Sequence, residues 1–197
     1  MGRYKARTWK EEAVYHGAGG DERYEASYSA AWPDKIRVDT GDYTLIVNGN
    51  KGWIRAKDQT RDMTSEELTE HMEGIYVVWV LSLAPLGNNE FKLSPLGDTK
   101  VAGRPTTGIN VRQRDHRDVE MYFDKRTGLL AMSRTRYKEA RSGSEVRQET
   151  VFSDYKDDPV IKTPTKVSIK RDGKLVVEAA IDTNYLESLD EGIFGKP

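Results

Sequence analysis

Only one stretch of this chain reads as a helix, and almost everything around it reads as hairpins. The helix begins at Thr64, where "TSEE" forms a capping box: Thr64 caps, and Glu67 at N3 reaches back to its amide. Asp62, Glu66 and Glu67 suit the positive end of the helix dipole. Leu68, Met72, Ile75, Tyr76, Trp79 and Leu83 then recur at helical spacing. Across "IYVVWVLSLAPL" apolar side chains go all the way round, the pattern of a helix covered on several sides. Pro85 stops it. The spacing predicts a helix over 64–84, about 30 Å long at about 1.5 Å per residue.

The flanking segments alternate. In "DVEMYFDKRTGLLAMSRTRY" (118–137), Val119, Met121 and Phe123 alternate with polar neighbours before "DKRTG", a polar turn containing Gly128. Asn-Gly in "NGNKG" (48–52) and Asp-Gly in "RDGK" (171–174) mark further hairpins, because these residue types accept positive φ. "GAGGDE" joins strand-like 4–16 to 23–31, and Gly41-Asp42 joins 35–39 to 43–49, with "WIRAK" (53–57) after them. Beyond the helix lie 91–97, 99–103, 105–114, the 118–137 hairpin, 145–155 and 165–185, and the tail "LESLDEGIFGKP" holds one short helical turn. No linker or repeat divides the chain, so 1–197 reads as one domain. The expected fold is mainly β (α+β): a curved antiparallel sheet, or unclosed β-barrel, of roughly ten to eleven strands, near the limit for an open sheet. It would wrap around the helix at 64–84, leaving a hydrophobic cavity between them.

Charge narrows the partners. The 31 basic residues nearly balance 32 acidic ones, which gives no electrostatic reason to expect nucleic acid or an anionic membrane surface. With no cysteine, disulfides and thiolate chemistry are excluded. No apolar run approaches the roughly 18 residues of a membrane span. "MGRYKARTWK" has no signal-peptide core, and Ala6 stands where an N-myristoylation motif at Gly2 needs Ser or Thr.

Catalytic patterns are not legible. His71 sits on the helix face turned from Leu68 and Ile75 and reads as a surface residue. Asp115, His116 and Asp118 in "RQRDHRDVE" are the one grouping that suggests a metal ion or proton relay, although a solvated bend is the plainer reading. "SDYKDD" (153–158) lacks the glycine and terminal glutamate of an EF-hand loop. There is no G-x-S-x-G, and "GAGG" and "GNKG" open no helix that would bind phosphate. Accordingly no catalytic residue, metal ligand or cofactor is assigned, and the chain reads as a non-enzyme. The candidate ligand-binding residues are apolar: Ile36, Val38, Leu45, Val47, Trp53, Met63, Met72, Tyr76, Trp79, Leu83, Met121 and Phe123. Aromatic and thioether groups among them adapt well to irregular ligands.

In order, "PDKIRVD", "LIVNGNKGW", the capped helix, "LSPLGDTKVAGRPTTGINV", "DVEMYFDKRTGLL", "RQETVFSDYKDDPVIKTPTKVSI" and "LDEGIFGKP" carry a family pattern. Over about residues 4–197 the chain resembles the LolA-like superfamily of bacterial outer-membrane lipoprotein-sorting proteins, and within it the divergent members. The resemblance implies an unclosed antiparallel barrel with a helical lid and a hydrophobic cavity. It also implies a periplasmic place reached by a leader not present in this chain, and a lipid or lipoprotein acyl chain as partner of a monomeric carrier. Two departures stand out. Many members carry a helix before the first strand, which this chain lacks. Where carriers have an arginine before the proline of "AWPDKIR", this chain has Trp32, with Arg37 five residues on. That arginine assists cargo release in the family, so its replacement shifts the expectation from lipoprotein transport proper toward general lipid or hydrophobe binding. The alternative on the same scaffold is an envelope protein-interaction or stress-sensor domain that works through strand edges or loops, without transport.

Overall fold

The helix joins the two free edges of a single sheet. The computed structural model describes residues 4–138, 143–157 and 161–197, so Gly2 and Asp158 lie outside the described residues. Six strands precede the helix: β1 (Ala6–Gly17), β2 (Gly20–Ala31), β3 (Lys35–Thr40), β4 (Tyr43–Asn48), β5 (Lys51–Ala56) and β6 (Gln59–Asp62). After α1 (Ser65–Leu81) and a 3₁₀ turn (Ala84–Gly87) come β7 (Lys92–Val101), β8 (Arg104–Arg112), β9 (Val119–Asp124) and β10 (Leu130–Lys138). β11 (Glu145–Lys156), β12 (Thr163–Arg171) and β13 (Lys174–Leu186) complete the sheet, and a second 3₁₀ turn (Glu191–Phe194) follows. The order is β6-β5-β4-β3-β2-β1-β13-β12-β11-β10-β9-β8-β7. Apart from β6 and β7, which are the two edges, neighbours in sequence pair antiparallel, and β1 pairs with β13 to join the two halves.

Thirteen strands among the described residues replace the expected ten to eleven. "QTRD" of β6 has no apolar alternation to betray it. The runs at 91–97 and 99–103 are one strand, bent at an irregularity beside Gly97, whose φ is 80°. The helix is also shorter than expected, ending at Leu81 rather than residue 84, for about 26 Å of length. The Ser82 hydroxyl donates to the Trp79 carbonyl at 2.6 Å, and Leu83 turns left-handed at φ 62°. Pro85 therefore sits in the 3₁₀ turn, past the helix end.

Adjacent helix residues fix the sheet's curvature. Ile75 packs with Leu45 and Val47 of β4, whereas Tyr76 packs with Val111 of β8 and with Val119 and Met121 of β9. β4 and β9 are eight steps apart in sheet order, about 38 Å on a flat sheet. A helix is only about 10–12 Å across. The sheet must curl until its two arms meet neighbouring faces of one rod, about 100° apart. At the first arm, Gly52 makes the fit possible: a Cβ there would lie 2.4 Å from Met63 Sδ and 3.1 Å from Leu68 Cδ1. On the outer face, Ile46 and Phe194 are fully buried, and the tail is tied to the sheet by Arg37 donating to the Ile193 carbonyl.

The capping box is present in full: the Glu67 amide donates to Thr64 Oγ1 at 3.2 Å, and the Thr64 amide donates to Glu67 Oε2 at 2.9 Å. Hydrogen bonds from Arg61, then from the Thr64 amide, hold the Glu67 carboxyl well below its usual range, at about 2. Thr64→Ala should cost about 1 kcal/mol in urea denaturation at neutral pH. Because Glu67 has a depressed pKa in the folded chain, its share of the cap is present above about pH 4.5 and disappears as the pH falls toward 2. The penalty for Glu67→Gln should shrink over that window, whereas that for Thr64→Ala, which keeps the Thr64 amide, should not.

Candidate functional site

Between α1 and the middle of the sheet lies a cavity of about 1160 Å³. Its back wall follows from strand alternation and register. Arg7, Trp9 and Glu11 of β1 share one face with Tyr28 of β2 and with Val177, Ala179, Ile181 and Tyr185 of β13. Val167 and Ile169 of β12 and Gln148, Thr150 and Phe152 of β11 continue it. The front wall is the helix face carrying Glu67, Glu70, His71, Gly74, Val77, Val78 and Leu81. The space is therefore mostly apolar, with polar groups toward its ends. It exceeds the roughly 300–1,000 Å³ of pockets that hold compact small molecules.

Of the twelve apolar positions expected to line this space, Leu83 and Phe123 do so. The other ten lie elsewhere. Leu45 and Val47, with Ile36, Val38, Met63 and Met72 around them, pack the first arm against Ile75. Trp32 belongs to the same cluster. Tyr76 and Met121 are buried, and Trp79 partly so, in the second arm with Val80, Phe91, Val111 and Val119. Trp53 pairs with Ile46 in the register, on the outer face of the sheet. The expected helix stripe is the one consumed by the two arms, so a different face looks into the cavity. His71 is on that face. The expectation is a surface position, but its i,i+4 spacing from Ile75 puts it on a covered flank. The structure half-buries it against the cavity, and burial lowers its pKa despite Glu67 and Glu70 nearby. Gly74 and the second apolar stripe of Val77, Val78 and Leu81 are the sequence signal for this face.

The bend at 115–118 secures the helix to the second arm. Arg117 donates through Nη1 and Nη2 to Glu70 at 2.9 and 2.8 Å, and through Nε to Glu73 at 3.1 Å. Burial opposes its charge, but these carboxylates outweigh that and raise its pKa. His116 stacks on Tyr76 at 4.0 Å between ring centroids, and its Nδ1 lies 2.8 Å from Glu73 Oε1. Asp118 instead accepts from Asn110 and Arg112, and Asp115 points into solvent beside Arg114. Asp115, His116 and Asp118 thus do not converge on one point. Among the described residues no group of three His, Asp or Glu side chains is placed to hold a metal ion. Nor is any described helix long and apolar enough to cross a membrane.

Similar folds are known. Over 98% of this chain, the structure resembles an outer membrane lipoprotein-sorting protein domain from Vibrio parahaemolyticus, with TM-score 0.63, 11% identity and 90% of that chain covered. It likewise resembles a LolA superfamily protein from Nitrosomonas europaea (TM-score 0.63, 10% identity, 98% and 91% covered). A DUF1329 family protein from Desulfovibrio piger is similar at TM-score 0.61 and 12% identity, with 98% and 90% covered. At such identities the likeness is one of fold, and the fold is LolA-like. No protein-family pattern matches the chain, and no curated protein matches it in sequence.

Arg117→Ala would leave Glu70 and Glu73 half-buried without their cation, so a loss of about 3 kcal/mol is expected in denaturant titration. Amide exchange should accelerate along α1 more than in β1 or β13. For His71, a folded pKa below the ordinary 6.5 means stability is intact above that value and is lost as the pH falls through it. His71→Leu should flatten the decline between pH 7.5 and 5.5. His16, held by Asp21 and Glu178, shifts the opposite way but is common to wild type and variant.

Proposed function

We propose that this chain is a periplasmic, monomeric, non-catalytic carrier or binder of hydrophobic ligands that holds a lipid or lipoprotein acyl chain between α1 and the concave sheet. One observation carries the reading: a helix packed on both arms leaves about 1160 Å³ of mostly apolar space against the central strands. Each methylene moved there from water gains about 0.8 kcal/mol, so an acyl chain is a favourable occupant. The cell-envelope setting rests on the similar fold of a lipoprotein-sorting domain. The lipid cargo, rather than any other hydrophobe, is inferred from the shape and lining of the cavity.

A second reading is favoured by β7. This edge strand is exposed along nearly its whole length and presents Leu93 and Leu96 to solvent, 50% and 43% exposed. An open edge with apolar side chains can add a strand from a partner protein. In that reading the chain is an envelope interaction or stress-sensor domain without transport.

Gly74 separates the two. It sits within α1, lines the cavity, and has open space where a Cβ would go. Gly74→Trp should keep or raise stability by up to about 1 kcal/mol, since glycine is a poor helix residue. It should weaken binding of a fluorescent fatty acid or apolar dye by about tenfold or more, equivalent to about 1.4 kcal/mol. Wild-type protein that binds neither probe at micromolar concentration, yet retains a stoichiometric partner from envelope extract, would favour the β7 reading instead.

A further inference from the structure

We infer that the occupant of the cavity is an amphiphile with an anionic head, and that Arg7 is the residue that holds this head. The inference rests on the carrier reading above and adds the chemical class of ligand and its orientation.

Arg7 lies near the start of β1 on the face that lines the cavity. Its Nη2 donates to Thr183 Oγ1 at 3.3 Å, a long bond, and its Nε is shut off from solvent with no acceptor. The guanidinium lies 4.5 Å from the Trp9 ring centroid and 5.7 Å from that of Tyr185. Those contacts fix its plane but do not neutralise it. Among the described residues no carboxylate pairs with it. Burial lowers its pKa, a sign that its surroundings leave the charge under-solvated. Even so, an arginine stays protonated in a protein.

Other cavity arginines are treated differently. Arg61 is paired with Glu67, Arg117 with Glu70 and Glu73, and Arg136 with Glu145. Arg171, which also lacks a carboxylate, donates its Nε to Gln148 and covers the Tyr137 ring. It lies at the opposite end of the strands, since β12–β13 register sets it beside Lys174 and β1–β13 register sets Arg7 beside Tyr185. Arg7 alone among these has a buried, unengaged nitrogen.

A partly buried guanidinium with an unengaged nitrogen, facing an apolar chamber, matches a carboxylate or phosphate in a two-pronged hydrogen bond. The tail then has its own place. From Tyr185 to Val177 along β13 the lining runs about 26 Å, through Ile181 and Ala179. An acyl chain in one bilayer leaflet extends about 15 Å, half the hydrocarbon core. A head at Arg7 leaves room for the whole tail along this wall.

The test is dye displacement by palmitate, its methyl ester and lysophosphatidate, on wild-type protein, Arg7→Gln, Arg7→Lys and Arg171→Gln. Palmitate or lysophosphatidate should bind wild type about tenfold or more tighter than the ester, as a charge-assisted pair implies. Which of the two is preferred tells a carboxylate head from a phosphate. Arg7→Gln should abolish the preference and leave the ester within about twofold; Arg7→Lys should retain part of it, and Arg171→Gln all of it. Equal binding of acid and ester to wild type overturns the inference while the carrier reading stands, and this comparison needs no variant to fold. The inference is overturned equally if Arg7→Gln keeps the preference or Arg171→Gln removes it. If the dye and all three lipids fail to bind wild type, the carrier reading falls and takes the head-group assignment with it.

Discussion

The structure depends on one packing constraint: the chain passes from one free edge of a thirteen-stranded sheet to the other through a single short helix. Strands far apart in the sheet must both reach that helix, and the contacts of Ile75 and Tyr76 show that they do. Curvature is therefore imposed by connectivity and burial together. The two arms cover two stripes of the helix, one led by Leu68, Met72 and Ile75, the other by Tyr76, Trp79 and Val80. A third stripe is left facing the central strands across a gap. A rod about 10–12 Å across cannot fill the arc of a sheet bent this far. The cavity is what remains.

Apolar packing sets where the helix lies, and charge sets how firmly. The capping box and Arg61 tie down its first turn, and Arg117 grips Glu70 and Glu73 one and two turns later. Near its end the Ser82 hydroxyl and the left-handed Leu83 stop it without an ion pair. The polar anchors are concentrated in the N-terminal half. The Arg117 pairs are mostly shielded from solvent and so persist better in salt than the exposed Arg61–Glu67 pair.

Much of this is legible in the sequence, for local reasons. Thr64 and Glu67 announce the cap, and Gly128, Gly173 and the Gly49 turn announce hairpins through backbone conformations that other residues avoid. The resemblance carried by the segments from "PDKIRVD" to "LDEGIFGKP" implies the LolA-like fold that the structure shares. Two kinds of information are not local. One is helix rotation: with apolar residues all round "IYVVWVLSLAPL", the sequence cannot say which stripe meets the arms, and His71 reads as solvent-facing although it faces the cavity. The other is which face of a strand is inner. Trp53 looks like a ligand contact by residue type, yet its pairing with Ile46 sets it on the outer side. Arg7 and Trp9 carry no such signal, because alternation marks a face without saying what lies opposite it.

The distribution of side-chain types also says where the cavity can adapt. Met63, Met72, Met121 and Met132, the pliable thioethers among the described residues, all sit in packed clusters and none lines the cavity. The wall is instead made of β-branched residues, small residues and rings, including Trp9 stacked on Tyr28 at 4.4 Å with planes 4° apart. Such groups have few alternative rotamers. A wall so stiff, on strands paired along both sides, has little capacity to reshape itself around a guest. The pliable contacts lie instead under the helix, which rests partly on Met63 in the first arm and on Met121 in the second.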